Sequence, residues 1–247
     1  RLLIGKWGDD ASPAALHFIK SRDPAIYDGT WAIVANNDVI GSVSAYVDDA
    51  NSLNNSIASI DFVVDDSSPS GNNVGGSIEF NTTESESAGS RTAMVINDDG
   101  AITAPLSPAF LTQIGSGVNS VTGDGTAYTI LYGTEIFDRG GNISGSTFTA
   151  PVTGIYELGF MCQLRDVASA NTDGDVSIAT SNRTIKLVRG DFGNMAMAGG
   201  VEALILNGSG LFDMDATDTA TVVVTVTGGS KIVDVENSNY FFGRLVG

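Results

Sequence analysis

The feature that most constrains this chain is its period-two apolar patterning, and Thr221-Val222-Val223-Val224-Thr225-Val226-Thr227 is the clearest instance. Such a β-branched run fits a pleated strand: Val222, Val224 and Val226 point to one face, Thr221, Val223, Thr225 and Thr227 to the other. Val222, Val224 and Val226 are therefore expected in a core. Similar alternation recurs in Ile60/Phe62/Val64, in Ile78/Phe80 and in Tyr128/Ile130/Tyr132, each run closed by Gly, Asn, Asp, Ser or Pro. With 30 Gly and only 12 Lys plus Arg in 247 residues, almost no segment has the Ala, Leu, Glu and Lys content that a helix prefers. The chain reads as all-β.

Tyr128 to Leu164 carries the densest signal. Strand-like runs are separated by Gly140-Gly141-Asn142, by Ser144-Gly145-Ser146 and by Ala150-Pro151-Val152-Thr153-Gly154. Phe137, Asn142, Phe148, Thr149, Ala150, Pro151, Gly154, Tyr156 and Phe160, in that order, resemble the globular head of the complement C-one-q/TNF-like superfamily. Asp215 to Thr227 is similar to the family's penultimate strands, and Tyr240-Phe241-Phe242-Gly243-Arg244-Leu245 to its closing strand. The resemblance covers about Ser107 to Gly247. It implies a jelly-roll β-sandwich assembled as a homotrimer, with Tyr156, Tyr240 and Phe242 near the threefold interface; ordinary core packing is the plainer role for these three.

The first hundred residues repeat a short strand followed by a polar turn. Candidate strands are Ala14–Lys20, Trp31–Ala35, Val39–Val47, Ile57–Val64, Gly76–Thr82 and Arg91–Ile96. Large apolar residues are too few for an independent sandwich, and short strands need neighbours to bury their apolar face. An intertwined trimeric β shaft or knob over 1–105 is therefore expected, followed by the jelly-roll head over 106–247. Ala101 to Pro108, with two prolines and no charge, is the candidate linker. Leu16 to Arg22, Val39-Ile40-Gly41, Gly76 to Thr82 and Arg91 to Asp99-Gly100 resemble bacteriophage tail-fibre sequences, although Ile78 stands where fibres have Leu and Thr92-Ala93 separate Arg91 from Met94.

Charge and composition exclude several classes. A net charge of −17 opposes binding to nucleic acid or to an anionic membrane surface, and it suits solubility of a β-rich surface. No apolar run approaches the roughly 20 residues of a membrane span, so membrane insertion is not expected. Opening on Arg1, the chain is expected to be a fragment or a processed piece.

Chemistry is sparse. The single cysteine, Cys162, lies in an apolar run and reads as an inert buried thiol. The single histidine, His17, alternates with Leu16 and Phe18 as a strand residue, and no nucleophile elbow accompanies it. Asp65-Asp66 and Asp98-Asp99 fall in turns, where Asp serves the backbone. No catalytic residues and no cofactor are expected. Asp173, Asp175, Asp213 and Asp215 gather oxygen at the short spacing calcium uses, but they match no calcium-loop pattern, and solvated turns are the preferred reading. Arg183, Lys186 and Arg189 could meet an anionic glycan, local ion pairing being preferred. Receptor-facing loops are expected around Asn171, Asp173 and Asp175, around Arg189, Asn194, Met195 and Met197, and at Asn207.

The resulting expectation is a tail-fibre tip of a virion: a homotrimer joined to other tail or fibre proteins, adhering to a host surface glycan or protein without enzymatic activity. The alternatives are a purely structural fibre or decoration protein, a bacterial surface adhesin, or a glycan-cleaving tailspike.

Overall fold

The computed structural model describes residues 14–24, 31–85, 89–199 and 203–247, with residues 197–199 as backbone alone. It divides into two compact units, Arg1–Leu106 and Ser107–Gly247. Among the described residues no helix is long and apolar enough to cross a membrane.

The first unit is one antiparallel sheet built from β1 (Val39–Val47), β2 (Asn55–Val64), β3 (Gly76–Thr83), β4 (Ser90–Ile96) and β5 (Ile102–Thr103), in that order. Four expected strands form almost as delimited. Two do not: Ala14–Lys20 and Trp31–Ala35 carry no strand pairing. Ionic contacts hold these segments instead, because Asp38 accepts Lys20 Nζ at 3.0 Å, Arg22 Nε at 2.7 Å and the Ala35 amide at 2.9 Å. His17 accordingly sits in an exposed irregular segment. Each strand of the sheet pairs with its sequence neighbour in the same chain.

The second unit is a two-layer sandwich. It comprises β6 (Ala109–Gln113), β7 (Val118–Thr122), β8 (Ala127–Thr129), β9 (Thr134–Arg139), β10 (Ile143–Ser144), β11 (Thr147–Thr149) and β12 (Gly154–Arg165). β13 (Asp173–Thr180), β14 (Thr184–Gly190), helix α1 (Phe192–Gly199), β15 (Leu204–Met214), β16 (Thr219–Thr227), β17 (Val233–Val235) and β18 (Tyr240–Leu245) complete it. The smaller sheet runs β10-β11-β16-β13-β14, with β8 beside β16. The larger runs β7-β17-β12-β18-β6-β9, with β15 on the other side of β12. The chain thus crosses repeatedly from one sheet to the other, and its last strand pairs beside the unit's first, a jelly-roll-like connectivity.

Period two explains the core. Tyr156, Leu158, Phe160, Cys162 and Leu164 of β12 face Ala220, Val222, Val224 and Val226 of β16 across the sandwich, all buried. Phe110, Phe148 and Tyr156 form a chain of ring contacts, with centroids 4.7 and 5.3 Å apart. Two expectations fail here. Lys231–Val235 forms no hairpin with β16, because after Gly228 the chain changes sheets and β17 pairs with β12 and β7. Residues 192–199, expected as a loop, form a helix that begins after Asp191. Asp191 Oδ1 accepts the Asn194 amide at 3.0 Å as a helix cap, and Phe192 and Ala196 are buried against the core.

Candidate functional site

The larger sheet has one face in the core and one turned outward, and its register lines up the outward side chains in rows. One row reads Ser209–Gly159–Phe242–Leu111–Phe137 across β15, β12, β18, β6 and β9. Beside it runs Asn207–Met161–Tyr240–Gln113, and on the other flank Leu211–Glu157–Arg244–Ala109–Arg139. The middle row is apolar and aromatic. The flanking row is charged, with Arg244 bonded to Glu157 at 2.8 Å.

Gly159 shapes this face. A Cβ at that position would collide with the Phe242 ring, so the ring lies over the bare backbone of β12. Tyr240 and Phe242 approach with centroids 6.2 Å apart. Asn207, Gly208, Ser209, Tyr240 and Phe242 frame an open notch of about 210 Å³ on this face. Phe137, Ile205 and Leu211 stand exposed on the same face, Ile205 and Leu211 at 66% and 67% of their full area. Isolated exposed apolar residues are ordinary, but a row in register with polar borders has the composition of a contact surface.

Of the three expected interface residues, the structure places Tyr240 and Phe242, half-buried, on this face. Tyr156 is a correction. It is fully buried between the sheets, its hydroxyl donating to the Val152 carbonyl at 2.8 Å, because it has the inward parity of β12. Leu111, Phe137, Gly159, Met161 and Ser209 join Tyr240 and Phe242 on this face. Period two gives each strand's parity, whereas the neighbour in the next strand follows from a register that sequence spacing does not reveal.

Most expected receptor loops are also corrected. Asn171 is buried; its side chain accepts the Ala168 amide at 2.8 Å and donates to the Gly123 carbonyl at 3.2 Å, fastening two turns. Asp173 and Asp175 lie on β13 and Arg189 on β14, paired as Arg189–Asp173 at 3.3 Å and Lys186–Asp175 at 2.7 Å. Asp173, exposed and closest to the guanidinium, raises the pKa of Arg189. Asn207 belongs to strand β15. Asn194 and Met195 are exposed on α1, and the side chain of Met197 lies outside the described residues.

Asp213 ends the outward side of β15, and Asp215 begins the turn to β16, whose organising group is Asp218. That carboxylate accepts Ser181 Oγ at 2.6 Å, Asn182 Nδ2 at 2.5 Å and the Asp215 amide at 2.9 Å, contacts that lower its pKa, the Ser181 hydroxyl most. Among the described residues no three His, Cys, Asp or Glu side chains converge as a metal site. Cys162 is fully enclosed, and burial pushes its thiol up to about 12, so it is no nucleophile at neutral pH.

No protein-family model matches the sequence, and no curated protein matches it. Solved structures do. The globular domain of zebrafish complement 1qA protein is 12% identical, with a TM-score of 0.40, over 57% of this chain and 98% of that one. Murine APRIL at pH 8.5 is 16% identical, with a TM-score of 0.38, over 56% and 99%; at pH 8.0 it is 15% identical, with a TM-score of 0.40, over 57% and 99%.

Proposed function

We propose that the chain is the distal, adhesive part of a homotrimeric bacteriophage tail fibre, its jelly-roll head presented to a host surface molecule. The observation that carries the assembly is the in-register row Gly159–Phe242–Leu111–Phe137, an uncharged stripe along the outer face of the larger sheet, bordered by the Glu157–Arg244 pair and suited to packing against copies of itself. Three equivalent heads would make attachment multivalent, so that weak single contacts sum to stable adhesion. The tail-fibre assignment rests on the sequence resemblance of the first unit. The surface offered to a receptor centres on α1, where Asn194 and Met195 are exposed.

The test is adsorption of the labelled full-length chain to a panel of bacterial strains, with its mass in native buffer measured in parallel. Saturable adsorption of a trimer, weakened by Asn194→Ala with Met195→Ala, supports the reading. A trimer that adsorbs to no strain points to a structural fibre component. Release of reducing sugar from a host polysaccharide would establish a tailspike instead.

A further inference from the structure

The first unit has a single sheet whose two faces differ sharply. Across β1 to β5 one face carries Gly41–Phe62–Ile78–Ile96–Ile102, Val43–Ile60–Phe80–Met94 and Ala45–Ala58–Thr82–Arg91 in register, apolar but for the Thr82–Arg91 end. The opposite face is polar and bonded to itself. Ser42 bonds to Asp61 at 2.5 Å and to Ser44 at 2.7 Å, and Asn81 donates to Asp61 at 2.9 Å and accepts from Thr92 at 2.8 Å. That polar ladder is satisfied within the chain. The apolar face is not, among the described residues.

Among the described residues, Phe18 reaches the apolar face, stacking on Phe62 with centroids 5.7 Å apart above Gly41. Beyond Phe18 the rows stay open: Val43 is 53% exposed, and an open trough of about 380 Å³ runs over Val43, Ala45, Ala58, Ile60 and Phe80. A sheet with one apolar face needs a second layer. Among the described residues of this unit there is no second sheet and no helix.

We propose that this layer is supplied by the same face of other copies of the chain, the first units packing apolar face to apolar face. The inference rests on the homotrimer proposed above. Two observations select a copy of the chain over a foreign partner. The Val43–Ile60–Phe80–Met94 row bears no charge, and Arg91 at the end of the adjoining row is paired with Glu84 at 2.6 Å, so these rows of identical faces meet without repulsion although each chain has a net charge of −17. And β5 ends at Thr103 while β6 begins at Ala109, so the sheet hangs on a five-residue tether from the head. Associated heads hold their first units at an effective concentration on the order of millimolar, which no free partner matches.

The chain supplies its own test, because its natural thiol, Cys162, is enclosed. Val43 and Ser44 are neighbours on opposite faces of β1, and both are exposed in the single subunit. Full-length Val43→Cys and Ser44→Cys are reacted with a maleimide in native buffer while the mass is recorded; Ile60→Cys, on the paired strand, repeats the measurement should Val43→Cys not fold. The expected result is a trimer in which Val43→Cys reacts roughly tenfold or more slowly than Ser44→Cys, with the rates converging when Phe242→Glu separates the subunits. Equal rates in an intact trimer overturn this inference and leave the proposed assembly standing. A monomer with equal rates overturns both. A monomer in which Val43→Cys stays protected assigns the face to a segment of the same chain, which also overturns it.

Discussion

Phe241 and Phe242 are adjacent on β18 and point to opposite sides of the larger sheet. Phe241 is fully buried, with its ring 4.9 Å from Phe110 and 5.7 Å from Tyr132. Truncation to Ala there removes a core ring, which costs about 3–5 kcal/mol and lowers the melting temperature by on the order of 10 °C or more for a domain of this size. Phe242 is half-buried, held by the bare backbone at Gly159. Phe242→Ala should cost the single subunit about 1–2 kcal/mol, since part of that ring already lies against solvent. The larger effect falls on assembly. In calorimetry over a hundredfold concentration range, the melting temperature of an associating protein rises with concentration. Phe241→Ala should keep that slope while shifting the whole curve down, whereas Phe242→Ala should flatten the slope. If both substitutions lower the melting temperature equally and leave the slope unchanged, the outer row is ordinary surface and the assembly argument fails.

Three further outcomes follow from side chains placed above. Cys162 should resist maleimide in the folded protein at pH 7 and react completely in denaturant; rapid native labelling would contradict its enclosure. Tyr156→Phe removes the hydroxyl bond to the carbonyl of half-exposed Val152, so it should cost about 0.5–1.5 kcal/mol by thermal melting and leave the number of subunits in the assembly unchanged, whereas an interface role would change that number. Asp38 has its pKa held well below the usual carboxylate value, chiefly by Arg22, then by the Ala35 amide and Lys20. Its contribution is therefore fully present above pH about 4 and is lost as pH falls through the lowered value. Digested side by side with pepsin, the Asp38→Asn variant should be cut faster than the parent chain within residues 14–24 at about pH 4, and the two rates should converge as pH falls and Asp38 is protonated.

The sequence made the head more legible than the first unit, for physical reasons. Strict alternation in Thr221–Thr227 and along β12 fixed which side chains enter the core, because parity in a strand is a local property. The parity of Tyr156 was equally local, but a family resemblance drew it toward the interface. The apolar rows of both units were out of reach, since they exist across strands whose register is set by bulges and turns; β1–β2, β3–β4 and β6–β9 each contain such a shift. Helix α1 had a readable sign in Asp191 followed by Met-Ala-Met-Ala, a cap before good helix formers, but glycines on both sides masked it. Asn171 looked like a loop tip by composition, yet a buried Asn that fastens two turns has the same sequence appearance as a solvated one.

Both exposed faces make one claim: the described residues of a subunit leave apolar rows uncovered, and other copies of the chain cover them. Sedimentation or native mass measurement on the full chain at submicromolar concentration tests it most directly. A species of three times the 25.5 kDa chain mass that persists on dilution is the predicted result. A stable, cooperatively folded single subunit at every concentration would contradict the account.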